Sequence, residues 1–260
     1  MERKKSYSRI ELRDIAAVVL KATRLLLENG AEARRAFETA QEIGRKFAVG
    51  VDILITHRSV IVTIAGPDDT VTRIMRVGTL GVNEENIMRI SRTLREMPES
   101  GGSTAVWNAS LDCIENRRVN YPAWLVLIMA SLACGGFCML SGGDWRAFFA
   151  CGVAAMIGFY IRGILVKHHF QPMLCIFSAA FISATVATFA TRTMGSEAAR
   201  AGIAASVLYL VPGVPMINAV ADVVKGHLMT GLARAMTVLL TAIFVGAGLV
   251  LAMRLWEFKY

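Results

Sequence analysis

From Tyr121-Pro122 onward the chain is dominated by five apolar stretches. They are WLVLIMASLACGGFCML (124–140), AFFACGVAAMIGFYIRGILV (147–166), PMLCIFSAAFISATVATFA (172–190), AGIAASVLYLVPGVPMINAVA (201–221) and GLARAMTVLLTAIFVGAGLVLAM (231–253). About 20 apolar residues in a helix are needed to cross the hydrocarbon core of a bilayer. Each stretch suits one crossing, although the first is short. A chain that is 55% hydrophobic, with a mean hydropathy of +0.50, is too apolar for an ordinary soluble domain. The expected fold class is an α-helical integral membrane protein with five transmembrane helices and a small N-terminal cytoplasmic α/β domain.

The charges support that division. Residues 1–121 hold 19 Lys/Arg and 16 Asp/Glu, whereas residues 122–260 hold only 9 and 4. The first part can fold in water. The net charge of +8 divides into 3 from the first part and 5 from the second. No basic run is interleaved with aromatics, so nucleic-acid binding has little support, and basic loops that set membrane orientation explain the excess.

In the first part, Ile15, Val18, Val19, Ala22, Leu25 and Leu26 recur at helical spacing, and Gly30 is a plausible stop. AEARRAFETAQEIGRKFAVG predicts a second helix ending before Gly50. VDILIT and SVIVTIA, separated by His57-Arg58, predict a hairpin. Gly66-Pro67-Asp68-Asp69 is a turn signal, and TVTRIMRV adds a third strand. Asn83 caps a helix expected over 84–97, with Glu84 and Glu85 favourably placed in its first turn. Another amphipathic helix is expected over 104–120. The expected organisation is an α/β domain over 1–100, a linker and amphipathic helix over 101–121, and a membrane domain over 122–260.

Five crossings put the two ends of the membrane part on opposite sides. Arg117, Arg118, Lys167 and Lys225 mark one side; Asp144, Arg146, Arg192, Glu197 and Arg200 mark the other. The positive-inside rule places the N-terminal domain in the cytoplasm and RLWEFKY outside. MERKKSYSRI lacks the apolar core and cleavage site of a signal peptide, which agrees. Cys134, Cys138, Cys151 and Cys175 lie inside apolar segments and read as small packing groups rather than a disulfide framework. Cys134 and Cys138 share a helical face but lack nearby histidines or carboxylates, so no metal site is expected. The adjacent His168-His169 point apart on a helix and make a poor one.

The polar residues of the fourth stretch are the main functional candidates. Pro212 and Pro215, with Gly213 between them, should kink or break the span. Broken backbone at membrane depth is tolerated where protein or water covers it, and such breaks often line transport pathways. Asn218 and Asp222 follow at i and i+4, on one helix face. Two readings stand: a substrate- or proton-handling site, or a simple kink with Asp222 capping or pairing locally. Arg162 and Arg234 are candidates to offset substrate charge, or to anchor at the interface. Ser178, Ser183, Thr185 and Thr188 most often bond their own helix or a neighbour. Asn29-Gly30-Ala31-Glu32 reads first as a helix stop followed by a first-turn acid, and second as a functional turn. No Ser/His/Asp pattern, HExxH or phosphate-binding glycine loop is present, so no enzyme activity and no cofactor is expected.

NGAEARR (29–35), VDILITHRSVIVTI (51–64), GVN (81–83), YPAWLVLIMASLACGGFCMLSGGDW (121–145), YIRGILVKHHFQP (160–172) and LVPGVPMINAVADVVKGHLMTGLARA (210–235) together resemble the threonine/serine exporter (ThrE) family, and most closely its shorter, split members. The resemblance spans nearly the whole chain. It implies an inner-membrane exporter subunit and a partner, a smaller YjjB-like membrane protein that supplies a second set of helices. Split members are associated with succinate export and fused ones with threonine and serine. The absence of the second membrane half therefore favours a dicarboxylate substrate, with an amino acid as the alternative. If the partner has an odd number of spans, the two units sit inverted, a common basis for alternating access. The contrasting expectation is a membrane-anchored ligand-binding or regulatory module, for which five spans with a broken fourth are more than an anchor requires.

Overall fold

A computed structural model describes residues 7–56, 58–78, 80–117, 121–196 and 198–257. His57, Arg118, Glu197 and the last residues of RLWEFKY, to which the sequence assigned a turn or a side of the membrane, lie outside them. The chain packs as two compact units, Met1–Arg118 with Gly213–Met236 and Val119–Pro212 with Thr237–Tyr260.

The first unit is built around helix α1 (Arg9–Glu28). Ser8 and Glu11 form a reciprocal capping box at its start: the Ser8 amide donates to Glu11 Oε2 at 2.7 Å and the Glu11 amide donates to Ser8 Oγ at 3.3 Å. All six residues of the predicted apolar face are buried, Val18, Val19 and Leu26 fully so, and Leu12 joins them. Helix α2 (Ala33–Lys46) follows, then strands β1 (Gly50–Ile55), β2 (Ser59–Ala65) and β3 (Thr70–Arg76) in an antiparallel sheet of that order. Alternation puts Val51, Val60, Val62, Ile64 and Val71 into the core. Leu54, Ile61 and Ile74 share one register row on the other face.

Helix α3 (Glu84–Glu96) is capped by Asn83, whose side chain accepts from the Asn86 amide at 3.1 Å. Helix α4 (Thr104–Glu115) closes the core with Trp107, whose indole donates to the Gly101 carbonyl at 2.7 Å. The helix expected over 104–120 ends at Glu115 instead. Glu115-Asn116-Arg117 offers no apolar face to bury, and the Asn116 amide closes the last turn on Asp112.

Among the described residues, four helices are long and apolar enough to cross a membrane: α5 (Ala123–Leu140), α6 (Trp145–Lys167), α7 (Pro172–Thr193) and α10 (Leu228–Glu257). A fifth crossing arises if α8 (Ala199–Ala205), the 3-10 turn Leu208–Leu210 and α9 (Gly213–Val224) count as one span, broken by a bend of 65°. The break falls at Pro212, which has no amide to donate and cannot continue a helix through its own position. In the second unit the buried residues of α5, α6 and α7 include Cys134, Ala147, Ala150, Cys151, Ala154, Ala179, Ala180 and Ala184, so small side chains set the spacing of those helices.

Candidate functional site

The α1–α2 connection sets up the site. Gly30 adopts φ +93°, and a Cβ there would lie 2.8 Å from the Gly81 carbonyl oxygen, so only glycine fits without strain. The turn is held from α3: Asn86 Nδ2 donates to Asn29 Oδ1 at 3.0 Å, and the Asn83 amide donates to the Asn29 carbonyl at 2.9 Å. This geometry leaves the carbonyls of Gly30 and Ala31, and the amide of Ala33 in the first turn of α2, available to other groups.

Helices α9 and α10 supply those groups within the same unit. Asn218 Nδ2 donates to the Gly30 carbonyl at 2.6 Å. One turn on, Asp222 is completely buried and its Oδ1 accepts from the Ala33 amide at 2.8 Å. Its other oxygen lies 3.0 Å from Arg234 Nη1, while Arg234 Nη2 donates to the Ala31 carbonyl at 2.9 Å. Lys225 Nζ sits 2.6 Å from Glu32 Oε2, and the Thr230 hydroxyl donates to the Ile55 carbonyl at 3.2 Å. Asp222 therefore does for α2 what a capping residue does, from 189 residues away in sequence. An anion at this position is favoured twice over, by an unpaired amide and by the positive end of the helix dipole.

The pair is balanced but costly to disturb. Desolvating both charges offsets much of their attraction, whereas removing one partner strands the other in a dry site at about 3–5 kcal/mol. Asp222 Oδ2 and Arg234 Nη1 have no hydrogen-bond partner among the described residues, so their mutual contact is all that neutralises those two atoms. Protonating Asp222 would keep its shape and remove its charge, weakening its hold on Arg234 and on the α2 amide together.

The residues singled out from sequence divide between the units. Gly213, Pro215, Asn218 and Asp222 lie on α9, and Arg234 on α10, in the first unit; Pro212 and Arg162 belong to the second. Asn218, Asp222 and Arg234 converge on the 29–33 turn. Asp222 does pair, but not locally. The turn is a helix stop, as its glycine indicates, and also the point that receives the two membrane helices. Sequence reasoning weighed Glu32 as a first-turn acid or as part of a functional turn, and Lys225 as a marker of membrane side; the signal it lacked was which distant residues would meet. In the third span Thr188 bonds its own helix at 2.7 Å, whereas Ser183 bonds Tyr209 at 3.1 Å. Outside the spans, the Ala147 amide, and after it the Ser196 hydroxyl, hold the Asp144 carboxyl below its usual range. Among the described residues, no group of three or more His, Cys, Asp or Glu could hold a metal ion.

Comparison with known proteins bears on this arrangement. The family described as "Putative threonine/serine exporter" (ThrE) matches residues 17–256. The chain is 28% identical over 251 residues to the "Probable succinate transporter subunit YjjP" of Klebsiella aerogenes, covering 96% of both chains. It is also 28% identical over 255 residues to the protein of the same name from Escherichia coli, covering 95% of this chain and 96% of that one. Similarity to the "Probable threonine/serine exporter" of Mycobacterium tuberculosis is 25% over 250 residues, 93% of this chain but 45% of that protein. These relatives are named as transporters, not enzymes. No solved structure matches the chain significantly.

Proposed function

Because the chain belongs to the threonine/serine exporter (ThrE) family, we propose that it is the membrane subunit of a two-component secondary exporter of small carboxylate metabolites, of the succinate type. A smaller YjjB-like membrane protein supplies the other half. The subunit sits in the bacterial inner membrane, with the N-terminal α/β domain in the cytoplasm and the C-terminus outside. Full-length similarity to proteins named as succinate transporter subunits supports the substrate class and the need for a partner.

The observation that carries the reading is the span broken at Pro212, with its 65° bend. An interrupted helix at membrane depth exposes backbone groups that only protein or a water-filled path can satisfy. Pro212, Gly213, Pro215 and Asn218 border this path. Asp222 carries the coupled proton: while ionised it clamps α9 and α10 to the 29–33 turn through Arg234 and the Ala33 amide, and on protonation that clamp loosens. Coupling to an ion gradient agrees with the lack of any nucleotide-binding motif in the sequence.

Inside-out vesicles test the proposal, with labelled succinate and labelled threonine, and with this chain alone or with the partner. Succinate uptake that requires both chains and a proton gradient is the expected result. Threonine uptake instead would assign the amino-acid branch of the family, and transport by this chain alone would remove the partner. Asp222→Asn should uncouple uptake from the gradient; unchanged gradient-driven uptake would end the proton-carrier role.

A further inference from the structure

The outer face of the N-terminal sheet carries apolar residues where a solvated face would be polar. An antiparallel sheet covered on one side alternates apolar-in and polar-out, yet Leu54 and Ile74 are 59% and 66% exposed. With half-buried Ile61 between them they form one cross-strand row, Leu54↔Ile61↔Ile74. Opposed residues on neighbouring strands lie about 4.5–5.5 Å apart, so the three side chains make a continuous patch. An exposed apolar patch with a polar rim marks a surface that a membrane or another molecule covers.

Charge is graded along the strands. The next outward-facing row in one direction is Ser59↔Arg76, with Arg58 just before Ser59. Both arginines are exposed and form no ion pair among the described residues. In the other direction come Asp52↔Thr63↔Thr72, and beyond them Asp68 and Asp69 between β2 and β3. The apolar row therefore separates a basic end of the sheet from an acidic one.

The basic end is the end that meets the membrane helices within the same unit. Ile55, next to Leu54, accepts from the Thr230 hydroxyl at 3.2 Å, and Thr230 is the third residue of α10. That helix is long and apolar enough to cross a bilayer, and Leu228 and Met229 at its start are exposed. Beyond β3, the Gly78 amide donates to Glu28 Oε1 at 2.7 Å and the Gly81 amide to the Glu28 carbonyl at 2.7 Å. These bonds hold exposed Leu80 and Val82 beside the 29–33 turn, which receives α9 and α10. Apolar exposure, unpaired positive charge and the start of a span coincide at one end of the unit.

We propose that this end of the N-terminal domain docks on the surface of the bilayer that α10 crosses. Leu54, Ile61 and Ile74 enter the boundary between headgroups and acyl chains, and Arg58 and Arg76 meet anionic phospholipid. Charge complementarity selects lipid as the occupant: the basic rim faces a negative membrane surface, and the acids lie at the far end of the sheet. The docking goes beyond the transport reading. It needs α10 to cross the membrane and does not depend on what the protein carries.

Nitroxide labels test this on the full chain in nanodiscs of phosphatidylcholine, alone or with phosphatidylglycerol. Exposed Cys113 is replaced by serine; the other four cysteines are buried and do not compete for label. Labels are introduced through Leu54→Cys and Ile74→Cys on the apolar row and Thr72→Cys towards the acidic end. Leu239→Cys, at an exposed position along α10, serves as the membrane control. With phosphatidylglycerol, the labels at 54 and 74 should be several-fold more accessible to oxygen than to a water-soluble nickel chelate, with the reverse at 72. Arg58→Glu/Arg76→Glu should abolish that excess, and raised salt should reduce it. Water-like accessibility at both 54 and 74, with the label at 239 in lipid, would overturn the docking alone. Lipid contact that survives the charge reversal unchanged would overturn the role of anionic lipid. Protection from both reagents that appears only on adding the smaller partner subunit would assign the face to that protein and overturn lipid docking. Nickel access at 239 would overturn the crossing by α10 itself, and the docking with it.

Discussion

The two units bury different chemistry. In the first, the core is Leu12, Ile15, Leu26, Ile43, Ile64, Ile87 and Trp107, large side chains removed from water. In the second, it is mainly alanine and cysteine with buried serine and threonine, Val207 and Leu210 being the larger members, while Phe149, Tyr160, Phe189 and Leu251 face outward. Water rewards burial of area, at roughly 25 cal/mol per Å². Lipid does not, because its tails are as apolar as leucine, so helices there associate by close approach and large residues are displaced to the outside. The segment Gly213–Met236 is the informative exception: it is composed like a membrane hairpin yet packs by charge and hydrogen bonding with the N-terminal core.

That exception gives the largest expected effect. Asp222→Ala should destabilise the first unit by about 3–5 kcal/mol by stranding Arg234. The double variant Asp222→Leu/Arg234→Met should recover most of that loss without recovering gradient-driven transport, read by thermal unfolding in detergent alongside vesicle uptake. Recovery of both would make the pair a packing feature only. Next, Leu26→Ala should cost about 2–5 kcal/mol through lost burial and a residual cavity, as for any large core residue.

The reverse substitution sharpens the contrast. Ala184→Leu, at a fully buried position on α7, should cost about 1–3 kcal/mol by forcing helices apart. The same change at exposed Ala242, on the part of α10 in the same unit, should be near neutral. Equal effects at both would argue against close packing in the second unit. The smallest effect belongs to Asp144, whose carboxyl is held below its usual value by the Ala147 amide and the Ser196 hydroxyl. A lowered value in the fold means this contribution is present above the unfolded carboxylate's pKa of about 3.9, and is lost as pH falls through the folded value. Asp144→Asn should therefore flatten the acid limb of a melting-temperature profile and leave the neutral region little changed.

Local patterns made most of this readable. The α1 stripe, the alternation of Val60, Val62 and Ile64, and the Asn83 cap each depend on neighbours within a few residues, and each reappears in the structure. The helix predicted to 120 stops at Glu115 because helix propensity alone cannot sustain a turn that buries nothing. Pro212 announced the break, since its missing amide acts wherever it sits. What stayed illegible was partnership. Asn218, Asp222 and Arg234 stood out as polar residues in apolar company, but nothing near them names the 29–33 turn.

The sequence by itself determined the elements: an amphipathic stripe, an alternating strand and an apolar run of span length each encode their solvent in a repeat that local chemistry reads. Only the tertiary structure decided that Gly213–Met236 packs with the N-terminal core and that Asp222 caps a helix 189 residues away. It alone brought Ser183 to Tyr209 beside the glycine face of α6. The physical reason is that hydrogen bonds and ion pairs are made by whatever groups the fold brings within about 3 Å, and a charge records in its own sequence only that it needs a partner, not which one.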